Sequence, residues 1–600
     1  MDNQKITELL RNMAASYEIL GENRFRINAY AQAADAVSAL SISVKDIWSS
    51  NKLTEIPGVG GSIAAHLDEL FRTGKSKHFE ETFSKIPQGT FDLMKIRSIG
   101  PKTAVKLTNA LQSGNYEGST IYEKLNSALS HQAISKLDGF GVKREEDIKI
   151  ALKQFLEGQT KKKRLLLQEA DAIAQQICSY LKQDKNVDKV NILGSLRRKK
   201  DTIGDLDIAA TTSNPTETIK HFVSYPGVAT IVDQGVKGAT IIVASGVQID
   251  LRITDEKSYG AMLQYFTGSK YHNIKLREYA LSKQLSISEH GIKKLGLKDP
   301  KPMPFPTEKE FYGYLGLPLI PPEMREDKGE IELAINSKLP ILVETHDIKG
   351  DLHIHSNYDL STSHDLGVSS FEVLLSRAQE LKYEYIGLSD HNPKQMLSGQ
   401  EIVAILKKRK EYFDNIIYSK EFVQKYNSIQ KVFIMLEVDI KPDGSIALPE
   451  KAFDHLDAVL VSIHSSFTQD KDAMTKRVLK GLTVHPKVRV FAHPTGRLIN
   501  SRPSIDLHWD EVFKTCQKND IALEINAGPE RLDLPDQLVF EAREKGMKFV
   551  IGTDAHIVDA MDNMKYGVSV ARRGWSTRRD ILNTLSEKEF SKWLSGSINH

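Results

Sequence analysis

From residue 350 onward, short apolar runs keep ending in histidine, aspartate or glutamate, and that pattern limits the fold more than any other feature of the chain. His353 and His355 close Asp-Leu-His-Ile-His, His391 closes Leu-Ser-Asp-His, and Glu437 stands inside Leu-Glu-Val-Asp-Ile. His464 follows in Val-Ser-Ile-His-Ser, His493 in Phe-Ala-His-Pro, and Asp554 with His556 in Gly-Thr-Asp-Ala-His; Asp365 is a ninth candidate. Side chains two apart on a strand share a face, so His353 with His355, and Asp554 with His556, can each grip one ion. A mixed imidazole and carboxylate set of this size suits two or three borderline ions such as Zn²⁺ or Mn²⁺, not one structural zinc. Any one of these histidines is explained as an ordinary core or surface residue; all of them together are not. Ions held this way ionise water for attack on phosphate esters, so phosphoesterase chemistry is expected. The same runs alternate with helical stretches such as 369–382 and 536–546, which predicts an α/β domain of βα units.

Six hundred residues exceed a single core, and length alone suggests about four domains. Two cysteines, Cys178 and Cys516, exclude a disulfide framework and fit a reducing cytoplasm; neither has zinc-knuckle spacing. No run approaches the roughly 20 apolar residues needed to span a bilayer. The start, Met-Asp-Asn-Gln-Lys, opens an amphipathic helical pattern without an apolar signal core. A cytoplasmic, nucleoid-associated protein with no membrane partner is expected. The net charge of +3 does not choose a partner, because basic patches hide inside near-neutral totals.

Residues 1–160 read as helical and repetitive. Ile56-Pro57-Gly58-Val59-Gly60 and Ile96-Arg97-Ser98-Ile99-Gly100 recur at roughly 40-residue spacing, each before a helical pattern, with a weaker copy at Leu137-Asp138-Gly139-Phe140-Gly141. Two glycines in a tight turn leave backbone N–H groups pointing outward, and with the next helix N-terminus they can hold one backbone phosphate. The pattern resembles tandem helix-hairpin-helix motifs, with Gly58, Gly60, Gly100 and Lys102 as expected DNA contacts. The basic run Lys161-Lys162-Lys163-Arg164 starts a new helix and reads as a solvated face. From 189 the period changes to strands, at 190–193, 207–210 and 241–244, and a proline-rich stretch at 298–328 marks a boundary.

Gly194-Ser195-Leu196-Arg197-Arg198 follows one strand and Gly204-Asp205-Leu206-Asp207 opens the next, while Asp250 ends another in Gln-Ile-Asp-Leu-Arg. Asp205 and Asp207 alternate onto one face. Three carboxylates converging from adjacent strands can hold two Mg²⁺ ions between an attacking 3′-hydroxyl and a nucleoside triphosphate. Ser195 and Arg198 would supply donors for the β- and γ-phosphates.

Gly194–Asp207, Asp250 and Tyr265-Phe266-Thr267-Gly268-Ser269 closely resemble the nucleotidyltransferase core of the X family of DNA polymerases. With the metal-rich segment, nearly the whole chain resembles the bacterial branch, in which a PHP phosphoesterase domain is fused to the polymerase. The resemblance implies a multidomain fold: helix-hairpin-helix domains at 1–85 and 86–160, a nucleotidyltransferase palm at 161–255 and a thumb at 256–330. A linker at 331–349 and an α/β PHP domain, a distorted βα barrel, at 350–600 complete it. It implies that Asp205, Asp207 and Asp250 are catalytic metal ligands for Mg²⁺ or Mn²⁺. Gly194, Ser195, Arg198, Gly204, Gly268 and Ser269 would bind the nucleotide. Tyr265 and Phe266 would exclude a 2′-hydroxyl, and Asn273 and Arg277 would touch the minor groove at the nascent pair. Within the PHP part, Asp351–His355, His391, Glu437, His464, the Ala-His-Pro-Thr-Gly-Arg run at 492–497 and Asp554–His556 match the family motifs. The implied protein is a monomeric gap-filling polymerase acting on gapped or primer-template DNA with dNTPs. Its Mn²⁺- or Zn²⁺-dependent PHP domain would be a 3′→5′ exonuclease or 3′-end phosphodiesterase, with Arg497 beside the ligands to hold the phosphate. A PHP phosphatase on small molecules, or a decayed DNA-end scaffold, is the alternative.

Two departures stand out. Relatives with lyase activity carry a Schiff-base lysine on the helix after the first hairpin; here His66 takes that place and Ser62 that of a second lysine. An imidazole cannot do that chemistry, so deoxyribose-phosphate lyase activity is expected to be absent. In the first PHP motif an aspartate is expected soon after the second histidine, and Tyr358-Asp359-Leu360-Ser361 interrupts the pattern. Counting back from a helix start at Ser369 favours Asp365 over Asp359 or His364.

Overall fold

The structure, a computed structural model, describes residues 3–39, 44–56, 58–96, 99–156, 164–297, 301–394 and 396–596. Pro57 of the first hairpin, Arg97 and Ser98 of the second, Lys161–Lys163 of the basic run and 298–300 of the proline-rich stretch lie outside the described residues. The chain falls into two compact units, Met1–Lys163 and Arg164–His600.

The first unit is helical throughout its described residues. Helices α1 (Gly61–Thr73), α2 (Pro101–Ser113) and α3 (Val142–Leu156) each follow a hairpin. Gly60 and Gly100 are extended N-cap residues whose carbonyls accept from Ala64 N (2.9 Å) and Ala104 N (2.8 Å). The third copy makes the same turn: Phe140 N donates to Leu137 O and Glu145 N to Gly141 O, both at 3.0 Å. Its repeat is therefore better preserved in the backbone than in the letters. Gly58 sits at φ +79°, where a Cβ would approach the Gln32 side chain to 3.0 Å, so glycine is required on both counts. A Cβ on Gly60 or Gly100 would meet no protein atom within 4 Å. Apolar residues at helical spacing, Ile63, Leu67 and Leu70 of α1 and Ala104, Leu107 and Leu111 of α2, face the two cores.

The second unit begins with a five-stranded sheet: β1 (Val187–Ile192), β2 (Leu206–Thr212), β3 (Val228–Gly235), β4 (Gly238–Val243) and β5 (Gln248–Thr254), in the order β1-β2-β5-β4-β3. All neighbours are antiparallel except β2 and β5, whose parallel pairing sets Asp207 directly beside Asp250. Helix α4 (Leu167–Leu181) packs with this sheet and buries Ala170, Ala174 and Ile177. Helices α5 (Tyr259–Thr267) and α6 (Lys270–Ser282) lead into a core built on Leu276, Phe311, Tyr312 and Leu315.

Seven parallel strands follow: β6 (Gly350–Ile354), β7 (Tyr385–Leu388), β8 (Lys431–Asp439), β9 (Ala458–Ser462), β10 (Val488–Phe491), β11 (Ala522–Asn526) and β12 (Phe549–Gly552), paired in sequence order. The sheet curls nearly closed. His355 N donates to Ala555 O (2.9 Å) and Ala555 N to His353 O (3.3 Å), joining the segment after β12 to β6. Almost every strand residue is buried, as expected for a parallel sheet covered on both faces. Alternate residues, among them Phe433, Met435, Leu460, Val490 and Ala522, form one core with Phe590, Trp593 and Leu594 of the C-terminal helix Glu587–Leu594. That packing leaves the C-terminal strand ends, where βα barrels place their chemistry, for the polar side chains. Helix α7 (Gly399–Ile417) is pinned to this rim by a buried pair: Arg409 donates to Asp390 Oδ2 through Nε (2.9 Å) and a terminal nitrogen (2.6 Å). Asp390 also accepts from Ser356 N (2.6 Å), so one carboxylate orders the segments that carry His355 and His391.

Trp593 is fully buried, and its indole donates to Asp520 (3.1 Å). Trp593→Ala should cost the barrel about 3–5 kcal/mol. The check is a urea titration followed by far-ultraviolet circular dichroism, whose midpoint should move to lower denaturant; an unmoved midpoint would show that this helix does not brace the barrel.

Candidate active centres

The first centre lies at the edge shared by β2 and β5. Asp205 precedes β2 and is exposed, Asp207 is half-buried on β2, and Asp250 is buried on β5. Burial, and then the charges of Asp205 and Asp250, push the Asp207 carboxyl up to about 6, against the pull of Arg252 and Arg198. Such a set repels itself and suits a divalent cation. Asp250 accepts from Thr240 Oγ1 (2.5 Å) and Gln248 Nε2 (2.9 Å), which aims it. A short turn, Gly194–Arg197, faces these carboxylates: a Cβ on Gly194 (φ +60°) would lie 2.4 Å from Asp207 Oδ2, so the backbone can approach only as glycine. Gly204 is half-buried beside Arg164, and Ser195 is half-buried in the turn.

Arg198 is already engaged. Its Nε donates to Glu326 Oε1 (3.0 Å) and its Nη1 to Thr267 O (2.6 Å), and Nη1 lies over Gly268. Tyr265 and Phe266 pack edge to face with ring centroids 5.1 Å apart, and Arg252 lies over Phe266 at 5.1 Å. Asn273 is buried, donates to Tyr265 O (2.7 Å) and accepts from Gln264 Nε2 (2.8 Å). In this arrangement Asn273 holds the Tyr265 backbone, whereas Arg277 is exposed. Ser269 caps α6, accepting from His272 N (3.3 Å).

The second centre occupies the barrel rim and is built around Glu437. This carboxylate is buried within 2.7–3.7 Å of nitrogens of five imidazoles: His493 (2.7), His391 (3.0), His353 (3.2), His464 (3.3) and His355 (3.7). Asp554 Oδ1 lies 3.1 Å from His355 Nε2, and the His556 ring stacks on His355 at 4.0 Å. Candidate ligand atoms gather into overlapping groups: His353, His355, Glu437 and Asp554; His355, His391 and His556; His391, Glu437 and His464; and His364, Asp439 and His464. Among the described residues all such tight groups lie here, so the three aspartates of the first centre stand farther apart.

A direct test of fit is whether buried polar atoms lack partners. His353 Nε2, His355 Nδ1, His391 Nδ1, His493 Nδ1 and Glu437 Oε2 are buried without a hydrogen bond. Unpaired buried groups are costly, and convergence of this kind fits bound cations. Burial would raise Glu437, yet His391, His464 and His353 hold it well below the usual carboxylate range. Burial would lower His464, but Glu437 and Asp439 push it up to about 9.

Backbone irregularities aim the ligands. Strict alternation from Leu352, which faces the barrel core, would turn His353 away; the β6–β7 register shifts between Asp351 and Ile354, and both histidines reach Glu437. His493 (φ +27°) and Asp554 (φ +54°) adopt left-handed conformations uncommon outside glycine.

Several expectations are corrected. Asp365 is exposed and belongs to none of the groups, while His364 Nε2 lies 3.0 and 3.1 Å from the Asp439 oxygens. The loop after β6 thus presents the residue before the counted one. Arg497 does not reach the ligands: its guanidinium donates to Arg531 O, Leu532 O and Asp201. Arg531 Nε instead lies 3.5 Å from Asp554 Oδ2. Two further carboxylates, Asp439 and Glu524, join the site. Asp439 lies 2.7 Å from His464 Nδ1, and its signal was present, since alternation puts it on the face of Glu437. Glu524 lies 2.6 Å from His353 Nδ1 and accepts from His493 N (2.7 Å); a charged residue inside the apolar run Ala-Leu-Glu-Ile-Asn marked it. Such a partner fixes the ring and tautomer of a metal-binding histidine.

Family comparisons match a helix-hairpin-helix domain at residues 1–76, the DNA polymerase beta thumb at 262–326 and the PHP domain at 351–528. The last match stops short of β12, so Asp554 and His556 join the site through the barrel rather than through the matched segment. DNA polymerase lambda of Rattus norvegicus is 25% identical over 354 residues, 54% of this chain and 56% of that protein. DNA polymerase lambda of Arabidopsis thaliana is 25% identical over 371 residues, 54% and 62% of the two chains. The DNA polymerase/3′-5′ exonuclease PolX of Bacillus subtilis (strain 168) is 33% identical over 596 residues, 99% of both chains. With that match end to end, and with a polymerase thumb and a PHP domain in one polypeptide, the chain belongs to the X family of DNA polymerases that carry a PHP domain.

Proposed function

We propose that this chain fills short gaps in DNA at the aspartate centre and removes 3′-terminal nucleotides or blocking groups at the barrel centre. The observation that carries the reading is the presence of two separate ligand sets in one compact unit: Asp207 paired with Asp250, and the buried imidazole nitrogens without hydrogen bonds around Glu437. The Bacillus relative is named for both activities.

At the first centre Asp205, Asp207 and Asp250 would hold Mg²⁺ or Mn²⁺. When bound, such ions supply charge neutralisation between a primer hydroxyl and a triphosphate. The residues themselves position the substrate. The Gly194 turn brings backbone and Ser195 toward the phosphates, with Gly204 and the Gly268–Ser269 bend around them. Arg198 offers its remaining donors to the β- and γ-phosphates. Tyr265 and Phe266 wall the sugar, with Asn273 holding the Tyr265 backbone and exposed Arg277 available to the template. Gly58, Gly60, Gly100 and Lys102 would hold DNA phosphates without reading sequence.

At the second centre His353, His355, His364, His391, Glu437, Asp439, His464, His493, Asp554 and His556 would hold two or three Mn²⁺ or Zn²⁺ ions. When bound, these ions supply an ionised water and neutralise the scissile phosphate. Arg531, beside Asp554, is the cation placed to orient that phosphate.

Reciprocal variants separate the two activities. Asp205→Ala should lower nucleotide incorporation on a gapped duplex on the order of 10³-fold while digestion of a single-stranded 3′ end persists. His355→Ala with Asp554→Ala should do the reverse. Primer extension by Asp205→Ala at the wild-type rate, or undiminished digestion by the double variant, would refute the corresponding assignment.

Lyase chemistry is not expected in the first unit. His66 and His78 stack with ring centroids 4.3 Å apart, and Tyr17 Oη lies 2.6 Å from His78 Nε2. Burial, and then His78, hold His66 below the usual imidazole range. The nearby Lys75 and Lys77 are exposed and face Glu80 and Glu81. Borohydride should therefore trap no adduct with a 5′-deoxyribose phosphate; an adduct mapping to residues 1–85 would overturn this.

A further inference from the structure

The nucleotide-side turn of the first centre is held from outside the polymerase sequence. Helix α8 (Met564–Arg573) packs against β12 in the PHP region, yet its last two residues reach the other way. Arg573 is buried. Its Nη1 donates to Arg198 O (2.7 Å) and to Glu326 Oε1 (2.9 Å), and its Nη2 donates to Asp536 Oδ2 (2.7 Å). Glu326 Oε1 is the same oxygen that accepts from Arg198 Nε (3.0 Å). One guanidinium therefore fixes both ends of Arg198: its carbonyl directly, and its side chain through Glu326. Arg572 extends the grip to Glu323 (2.8 Å).

We propose that Arg573 is a positioning residue for nucleotidyl transfer, orienting Arg198 for the triphosphate from within the PHP domain. The inference rests on the reading of Arg198 as a phosphate donor. Its chemistry follows from geometry. The planar fork of arginine spans a carbonyl and two carboxylates at fixed angles, whereas a lysine ammonium retains the charge but not that span. Arg198 is then preset, and binding a nucleotide does not have to order a long free side chain. Arg573 itself touches none of the candidate ligands of the barrel centre, so its contribution is specific to the polymerase side.

Arg573→Ala leaves Asp536 and Glu326 without their buried partner and can fail to fold, so the deciding variant is Arg573→Lys. Steady-state gap filling by the full chain with Mg²⁺ should show KM for the dNTP raised about tenfold and kcat changed less than about threefold. Digestion of a labelled single-stranded 3′ end, with Mn²⁺, should stay within about twofold of wild type and serves as the fold control. Arg198→Lys alone should also raise KM. Arg198→Lys with Arg573→Lys should raise it no further than Arg198→Lys does, because the two act as one unit. An unchanged KM in Arg573→Lys, a parallel loss of both activities, or independent effects in the double variant would overturn the proposal. If Arg198→Lys leaves KM untouched, the reading of Arg198 fails; if it raises KM while Arg573→Lys does not, only the inference about Arg573 fails.

Discussion

One buried carboxylate, Glu437, organises the barrel. Burying a charge among apolar strands is costly unless it is paired, and here the compensation comes from five imidazoles carried on β6 and on the segments after β7, β9 and β10. The parallel sheet makes this possible. Strands running the same way bring their C-terminal ends to one rim, so residues more than 100 positions apart meet around one side chain. The interior below that rim is apolar and packed with Phe590 and Trp593. Structural and chemical demands are thus separated along the strands, and the register shift in β6 and the left-handed backbone at His493 and Asp554 arise where the two meet.

The arrangement fits bound cations on physical grounds. Imidazole nitrogens and a carboxylate oxygen converge with short separations but without hydrogen bonds. Around them a second layer is fully bonded: Glu524 holds His353 and the His493 backbone, Asp390 joins Arg409 to the loop after β6, and Asp351 accepts from Thr553 Oγ1 (2.5 Å). Satisfied outer groups aiming unsatisfied inner ones characterise a preformed ion site.

The two centres share one body through charge rather than through apolar burial alone. Between the five-stranded sheet and the barrel lie Arg573 with Glu326 and Asp536, Arg497 with Asp201, and Tyr566 with Asp171. Removing one member of such a buried set leaves its partners uncompensated, which makes the set directional in geometry and intolerant of substitution. Arg497 illustrates the consequence: in sequence it stands beside a ligand histidine, yet its side chain belongs to the contact with Asp201.

Which side chains share a face was largely legible from local pattern, because alternation on strands and glycines at turns are short-range rules. Asp205 with Asp207, His353 with His355, and the Gly60 and Gly100 caps could be read directly, and Asp439 could have been by the same rule. Tertiary structure decided what depends on how distant segments meet. It set His364, and not Asp365, against Asp439, because a loop without periodicity gives no face to count from. It assigned Glu524 to His353 and Arg531 rather than Arg497 to the rim, because those choices follow from barrel closure. It also brought Arg573 to Arg198, a meeting 375 residues apart in the chain that no sequence spacing encodes, since it arises only where the barrel and the turn after β1 pack together within one compact unit.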